Sequence, residues 1–457
     1  MYRKYWNEEI ETMPPSVLRK LEADRLARQI EYVHRTSPWY AERFDRAGVN
    51  PEEIRRHEDL SRLPFTEKVD LTRSQDDGSL VGVNQCASQE DIIRIVGTGG
   101  TTGRPLRLPF TAGDVQVYAE QGARALWAMG CRPTDTVINL FNYSIYAGGV
   151  AGGNSFEYLG ATVLPYGVGQ TARLYDLLKH LQGNLAIYAT PSYAVRLADR
   201  ADEEGINLRN LGVRKGFLSG EAGLQIPGYR ERIESGWGML ARDLYGAAEV
   251  GAHSAECEQL NGLHWFGSGL VIAELIDSET LEVLPMQEGA VGEFVFTSIQ
   301  REAGPLVRLR THDQVEIYTE ACPCGRTSFR FRTRARSDDM FVVKGINVYP
   351  LGIQSVLADL RPAVTGEYRV ILRKAPPIDY EPELQVEVGR NTSPEDIEAL
   401  LMRVRQTVRD RLSFTSDVRA VEPGIIASEH KTRRVYRAYD GILPEGEIPM
   451  TIPSGTG

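Results

Sequence analysis

Cysteine is scarce in this chain: 457 residues carry five, an odd number. So sparse a supply excludes a disulfide scaffold and leads one to expect a reducing compartment, the cytoplasm. No segment approaches the roughly 18 uninterrupted apolar residues of a membrane-spanning helix. The opening segment, residues 1–9, lacks the apolar core of a signal peptide. Basic charge is not in excess either. Lys and Arg number 52 against 62 Asp and Glu, and a formal charge of -10 argues against a nucleic-acid surface. There is no internal repeat and no long low-complexity tract. What is present, 42% hydrophobic and 25% charged residues, suits a globular protein long enough for several domains. A homodimer is the starting expectation for its assembly.

Apolar spacing predicts helix over residues 17–47, interrupted at Pro38, and a short helix after Leu63-Pro64-Phe65 capped by Thr66. A helix over 114–129 ends at Gly130. Short apolar runs at 136–141, 162–165, 185–188 and 213–218 then alternate with helical patterns at 171–181, 193–201 and 226–234. That alternation indicates an α/β domain with a largely parallel sheet. Beyond about residue 265 the texture changes to strands and turns, including 270–276 and 292–297. Residues 338–457 read as a separate α+β unit with strands at 370–372 and 418–421 and a half-buried, alternating strand at 384–388. Its helix over 393–412 is opened by Ser393-Pro394-Glu395-Asp396. The expected architecture is therefore a large α/β domain of several subdomains with mostly parallel sheets, residues 1–337, and a small α+β domain, 338–457.

Thr98-Gly99-Gly100-Thr101-Thr102-Gly103-Arg104-Pro105 places three glycines, three hydroxyls and a cation between two apolar runs. Glycines let the backbone turn back and expose N–H groups, while the threonines and arginine add donors for phosphate oxygens. The order is not that of a Walker A loop; a strand–loop–strand phosphate cradle and an ordinary glycine-rich hairpin turn both fit. Leu244-Tyr245-Gly246-Ala247-Ala248-Glu249 sets a carboxylate after an apolar run. Glu249 is there either a magnesium ligand bridging phosphates or a surface acid. Arg308-Leu309-Arg310-Thr311-His312-Asp313 alternates basic side chains on an extended segment, with Asp313 placed to accept ribose hydroxyls. The charged run Arg334 to Met340 suits a hinge, a nucleotide contact or a solvated linker.

Cys322-Pro323-Cys324-Gly325 presents two thiols on one turn, and Cys257 and His264 lie upstream. These four would complete a tetrahedral Cys₃His zinc site, with His253 and His312 as rival ligands and idle thiols as the alternative. Such a closed site leaves no position for activated water. Phe141, Tyr143, Tyr146 and Gly149 belong to a segment of aromatics and close-packed glycines that suits a flat, mostly apolar slot, which Phe217, Ser219, Gly220 and Ala247 would extend. The same aromatics also suit a core.

In this order, from about Tyr32 to Arg437, these blocks resemble the phenylacetate–CoA ligase branch of the adenylate-forming enzymes. The resemblance implies that Thr98 to Arg104 hold ATP phosphates, with Thr101 and Thr102 catalytic. It implies that Tyr245, Gly246 and Ala247 contact the nucleotide, and that Glu249 supports Mg²⁺. Asp313 and Arg336 would meet the ribose, and Asp338 would be the pivot of a mobile lid. Gly345-Ile346-Asn347-Val348-Tyr349-Pro350 is similar to the branch's sequence after that pivot, and Lys431 would be the catalytic lysine. Cys257, His264, Cys322 and Cys324 also resemble a metal cluster of some members. Three departures from the family's pattern stand out: Gly99 at a position commonly Ser, His312 where a smaller or different residue is frequent, and His430 in place of the glycine usual before the lysine.

The implied reaction joins an aryl or arylacetic acid to ATP, giving acyl-adenylate and pyrophosphate, and passes the acyl group to coenzyme A with release of AMP. Alternatives are transfer to the phosphopantetheine of a carrier protein, an adenylate passed to a hydroxylated cofactor, and a nucleotide-binding protein without turnover.

Overall fold

Asn7 caps the short α1 (Glu8–Glu11), accepting from the Ile10 N–H. Prolines at the first helical position, where a missing N–H costs nothing, open α2 (Pro15–Thr36) and α3 (Pro38–Arg46). The expected Thr66 cap is corrected: in α4 (Lys68–Arg73) the N-cap is Glu67, whose N–H donates to Asp70 at 3.1 Å. The Thr66 hydroxyl instead donates to the Val307 carbonyl at 2.7 Å, beside a parallel bridge to Leu309. The structure, a computed structural model, describes residues 2–76, 79–98, 106–221, 223–225, 228–336, 341–343, 346–348, 350–390, 392–426 and 433–444. Gly99, Gly100, Thr101, Thr102, Gly103, Arg104, Asp338 and Lys431 lie outside them, as does the side chain of Arg336.

β1 (Arg94–Gly97) and β2 (Arg107–Phe110) form an antiparallel hairpin in which Gly97 faces Arg107, so the two strands flank residues 98–106. α5 (Ala112–Ala128) is capped by Thr111 and ends before Gly130 at φ +92°. A parallel array follows: β3 (Asp135–Asn139), α6 (Ala147–Leu159), β4 (Thr162–Pro165), α7 (Thr171–His180), β5 (Asn184–Ala189), α8 (Pro191–Glu203), β6 (Val213–Ser219), α9 (Tyr229–Trp237) and β7 (Leu240–Ala247). Helix α6 is absent from the sequence expectation because its four glycines read as turns.

Antiparallel strands continue the sheet: β8 (Gly251–Glu256), β9 (Leu263–Trp265), β10 (Val271–Ile276), β11 (Val283–Leu284), β12 (Val291–Ser298), β13 (Leu309–Tyr318) and β14 (Arg330–Arg336). The twelve strands run β11-β10-β12-β13-β14-β9-β8-β7-β6-β5-β3-β4. Parallel pairing covers β7, β6, β5, β3 and β4. Buried Leu185, Ala186, Ile187, Tyr188 and Ala189 mark β5 as covered on both faces, as parallel strands are.

The chain divides into two compact units, Met1–Gln225 with Arg230–Thr333, and Ile226–Tyr229 with Arg334–Gly457. The smaller unit contains β15 (Phe341–Val343), β16 (Ile346–Val348), α10 (Pro350–Ala358), β17 (Val364–Leu372), β18 (Glu383–Val388), α11 (Pro394–Leu412), β19 (Asp417–Val421) and β20 (Val435–Arg437). Ser393 caps α11 by accepting from the Asp396 N–H. Its four-stranded sheet runs β19-β18-β17-β20 around Tyr368, Val370, Leu384, Val386, Val404 and Val408. β18 is buried along its whole length, not half-buried. Its polar residues survive burial because each has a partner: Glu383 meets Arg373 at 2.7 Å, Gln385 meets Arg369 at 2.6 Å, and Glu387 accepts from the Gly424 N–H at 3.0 Å. Among the described residues, no helix is long and apolar enough to cross a membrane.

Candidate active site

The carboxyl ends of the parallel strands converge where an open α/β sheet usually binds ligands. Just past β7, Glu249 is only 7% exposed and pairs with Lys68 Nζ at 2.7 Å, so an ammonium compensates the buried charge. The loop carrying it is fixed through its carbonyls. Tyr118 Oη donates to Ala248 O at 2.6 Å and Gln121 Nε2 to Val250 O at 2.7 Å. Arg301 bonds Glu249 O with one guanidinium nitrogen and Pro109 O of β2 with another, at 3.3 Å in the second case. That side chain therefore joins the acid's loop to the hairpin. At the hairpin end Thr98 is buried, and its hydroxyl has no hydrogen-bond partner among the described residues.

Tyr245, on β7, donates a short hydrogen bond to Asp313 Oδ2 on β13, bringing two of the nucleotide candidates together. Asp313 sits within a bulge of β13, its N–H donating to Thr311 Oγ1 at 3.0 Å. His312 has φ +60°, a left-handed backbone that few residues other than glycine adopt, and its Nε2 lies 2.8 Å from Glu67. Arg310 bonds Glu293 at 2.7 Å and Glu67 at 3.1 Å. Burial pushes the Glu67 carboxyl up, but His312 and then Arg310 more than offset this and hold it below its usual range. Arg308 and Arg310 do not form the free basic face their alternation suggests. Arg308 is buried on Glu274 at 3.0 Å and on the Leu63 carbonyl at 2.8 Å.

The acyl-slot candidates gather between α6 and the ends of β3, β5 and β6. Asn139 Nδ2 donates to Gly149 O at 2.8 Å, and its Oδ1 accepts from the Phe141 N–H at 3.0 Å. Phe141 packs on Tyr188 with ring centroids 4.3 Å apart. A Cβ on Gly149 would fall 2.4 Å from Asn142 O, and one on Gly148 2.5 Å from the Phe141 ring. Gly220, at φ +93°, faces the Phe141 ring and Thr190. Tyr188 is pushed upward in pKa by burial despite a hydrogen bond with Ser219. Tyr143 and Tyr146 are half-buried, and Tyr146 forms a parallel bridge with Gly97 that sets the slot against the hairpin. Ala247 ends β7 and belongs to the cluster of Val250 and Tyr245. Phe217 departs from the expectation. It is 0% exposed and packs on Phe156 at 5.4 Å, so it belongs to the core and not to a wall open to substrate.

Cys257, His264, Cys322 and Cys324 come together, all buried, with their ligand atoms within 4.8 Å of one another. Cys257 and Cys322 sulfurs lie 3.8 Å apart, and Cys324 Sγ lies 3.5 Å from His264 Nε2. A tetrahedral zinc with ordinary bond lengths gives edges of about 3.8 Å between sulfurs and about 3.5 Å from sulfur to nitrogen, so the donor set fits that ion. Hydrogen bonding between Cys257 and Cys324 pushes the first thiol up and the second well down, as for a shared proton. The rivals are elsewhere. His253 is buried among Tyr245, Trp265 and Phe296, and burial pushes it down to about 3. His312 stands on Glu67. The turn also holds the start of the chain: Tyr5 Oη donates to Cys324 O at 3.1 Å and Arg326 Nε to Glu11 at 2.8 Å.

Glu249 offers magnesium a single carboxylate, which fits an ion that takes one or two protein carboxylates and fills its shell with phosphate oxygens and water. Sequence reasoning does not find Lys68, Glu67, Arg301, Asn139 or Tyr188. Glu67 and Lys68 carry a faint signal, charges just after a turn, but their partners lie far along the chain.

A family model described as the AMP-binding enzyme C-terminal domain matches residues 345–438. The phenylacetate-coenzyme A ligase of Thermus thermophilus is 34% identical over 438 residues, 92% of this chain and 96% of that one. The protein of the same name from Pseudomonas putida is 32% identical over 355 residues, 77% of this chain and 78% of its own. Among solved structures, 2-hydroxyisobutyryl-CoA ligase in the postadenylation state with 2-HIB-AMP superposes with a TM-score of 0.86 at 31% identity, over 95% of this chain and 92% of that one.

Proposed function

We propose, for a chain that belongs to the phenylacetate-coenzyme A ligase family and is an ATP-dependent, AMP-forming acid–thiol ligase, that its acid is an aryl or arylacetic one. The observation carrying this reading is the run of half-buried aromatics Phe141, Tyr143 and Tyr146, with Phe141 backed by the buried Tyr188. A flat ring fits against an aromatic wall of that kind, with its carboxylate directed toward the hairpin that Tyr146 bridges.

In the first step a carboxylate oxygen attacks the α-phosphorus of ATP, and the bond to pyrophosphate breaks. No general base is needed, because the acid is ionised at neutral pH. Charge gathers on phosphoryl oxygens, where the N–H groups of residues 98–104, Thr101, Thr102 and Arg104 act as donors and Lys431 as a cation. Tyr245, Gly246 and Ala247 bound the nucleotide, and Asp313 and Arg336 take the ribose; the Tyr245–Asp313 hydrogen bond supports this grouping. Mg²⁺, when bound, neutralises charge on the phosphate oxygens, with Glu249 as its protein ligand. The small unit then pivots about Asp338, and the thiol of coenzyme A attacks the acyl carbon as AMP leaves. Zinc on Cys257, His264, Cys322 and Cys324 is structural, since its four protein ligands leave no open position.

Acid-dependent ATP–pyrophosphate exchange across aryl, arylacetic and short aliphatic acids tests the reading, followed by mass analysis after adding coenzyme A. Strongest exchange with an aryl or arylacetic acid and a thioester product are expected. Preference for a short hydroxy acid, the ligand chemistry of the 2-hydroxyisobutyryl-CoA ligase, would overturn the aryl assignment. Loading only of a carrier protein would overturn the acceptor.

A further inference from the structure

We propose that Gln225 is a positioning residue for the movement of the small unit, fastening together the points at which the backbone leaves the large one. The backbone passes between the units after Gln225, before Arg230 and after Thr333. Within the large unit two of these points bond directly to a pair of buried carboxylates, Asp243 on β7 and Glu256 on β8, and the third reaches Asp243 through Gln225. Gln225, at the end of the Gly223–Gln225 3₁₀ turn, donates from Nε2 to Asp243 Oδ2 at 3.2 Å. Its Oε1 accepts from both the N–H and the hydroxyl of Thr333, each at 3.0 Å. Arg230 grips Glu256 through Nη2 at 2.7 and 2.9 Å and bonds the Ala241 carbonyl at 2.6 Å. The Asp243 N–H closes the group on Glu256 Oε2 at 2.9 Å.

One primary amide thus bridges the first crossing to the third, with its two ends used in opposite senses, and the carboxylate pair draws in the second. The inference rests on the two-step reading above, in which residues beyond Thr333 carry the pivot. Thr333 lies within β14, past Phe331, the last residue paired with β9, so the amide supports the strand on that side and keeps backbone rotation to the residues that follow, as a hinge requires. Without the amide that side of β14 has lost its partner at Thr333, the strand end frays, and the reactive arrangements become a smaller share of the ensemble. The groups facing Asp243 are Gln225, Glu256 and Arg230, and burial, with Glu256 next, pushes its carboxyl up to about 7. The clasp therefore meets a group that changes charge near neutrality.

Gln225→Met keeps the shape and removes all three hydrogen bonds. Its kcat for thioester formation is expected to fall about tenfold, the scale of two or three lost hydrogen bonds, with KM for ATP within about twofold and Tm within a few degrees. Gln225→Glu keeps the acceptor for Thr333 but sets an oxygen against Asp243. Its kcat should match the parent near pH 6 and fall more steeply than the parent toward about pH 8, as the shared proton is lost. An unchanged kcat, a parallel rise in KM with loss of Tm, or a Gln225→Glu pH profile that tracks the parent would each overturn the proposal. Should no acid support pyrophosphate exchange, the reading of the reaction fails on its own. The clasp is then measured by amide hydrogen exchange: Gln225→Met must raise exchange at Thr333, and unchanged protection sinks it.

Discussion

Two neighbouring glycines of α6 give opposite expectations for the same substitution. A Cβ on Gly152 would lie 2.7 Å from Tyr188 Cε1 and 2.8 Å from its hydroxyl oxygen. That ring cannot swing aside easily, being wedged by Phe141 at 4.3 Å and Phe156 at 5.1 Å. A Cβ on Gly153 finds nothing nearer than Asn139 Nδ2 at 3.4 Å. Replacing glycine by alanine inside a helix gains about 0.8–1 kcal/mol of propensity at either position. Overpacking at Gly152 costs about 1–3 kcal/mol against that gain. Gly152→Ala is therefore expected to lose about 1 kcal/mol and Gly153→Ala to gain up to about 1 kcal/mol, a gap near 2 kcal/mol. Denaturant titration of both variants reads the gap in the midpoint at constant slope. Equal stability of the two variants would show that Tyr188 moves freely and would refute the overpacking at Gly152.

The purified protein is expected to carry one zinc, released together with folding stability in Cys322→Ser; metal analysis finding none would end that assignment. Lys431→Ala should lose most adenylation yet keep much of thioester formation from supplied acyl-adenylate, and equal losses in both steps count against its role. Asp243 has its carboxyl raised from 3.8 to about 7 in the fold, so between those values the folded state holds a proton that the unfolded chain has released. Stability from this group falls as pH rises from about 4 to 7 and is flat above. Asp243→Asn should flatten that decline, seen as midpoints at several pH values; an unaltered slope places the proton elsewhere.

The alternation of helices and strands was legible because a buried parallel strand is a short apolar run bounded by helices of a different period. The meeting of Cys257, His264, Cys322 and Cys324 was legible for a compositional reason: with so few cysteines, two on one turn point at each other's purpose. Helix α6 was hidden since Gly148, Gly149, Gly152 and Gly153 have no side chains from which to read a period, and only packing against Phe141 and Tyr188 explains them. Phe217 and the polar residues of β18 were misjudged for a shared reason. Whether a strand has one buried face or two depends on what later parts of the chain lay over it. The Lys68–Glu249 and Gln225–Thr333 pairs join residues distant in sequence, and no local pattern encodes such a meeting.

Strand β14 stands between β13 and β9 in the twelve-stranded sheet. It is the last of the twelve to leave the ribosome, and it fills an interior place with Arg330 opposite His264. Earlier strands can pair into two separate sheets, but those sheets join along this line only once residues 330–336 emerge. During synthesis the neighbouring edges of β13 and β9 stay open to other chains, the exposure that makes large mixed sheets slow to fold and prone to aggregate. Shortening the protein before residue 330 would leave that seam unclosed for good.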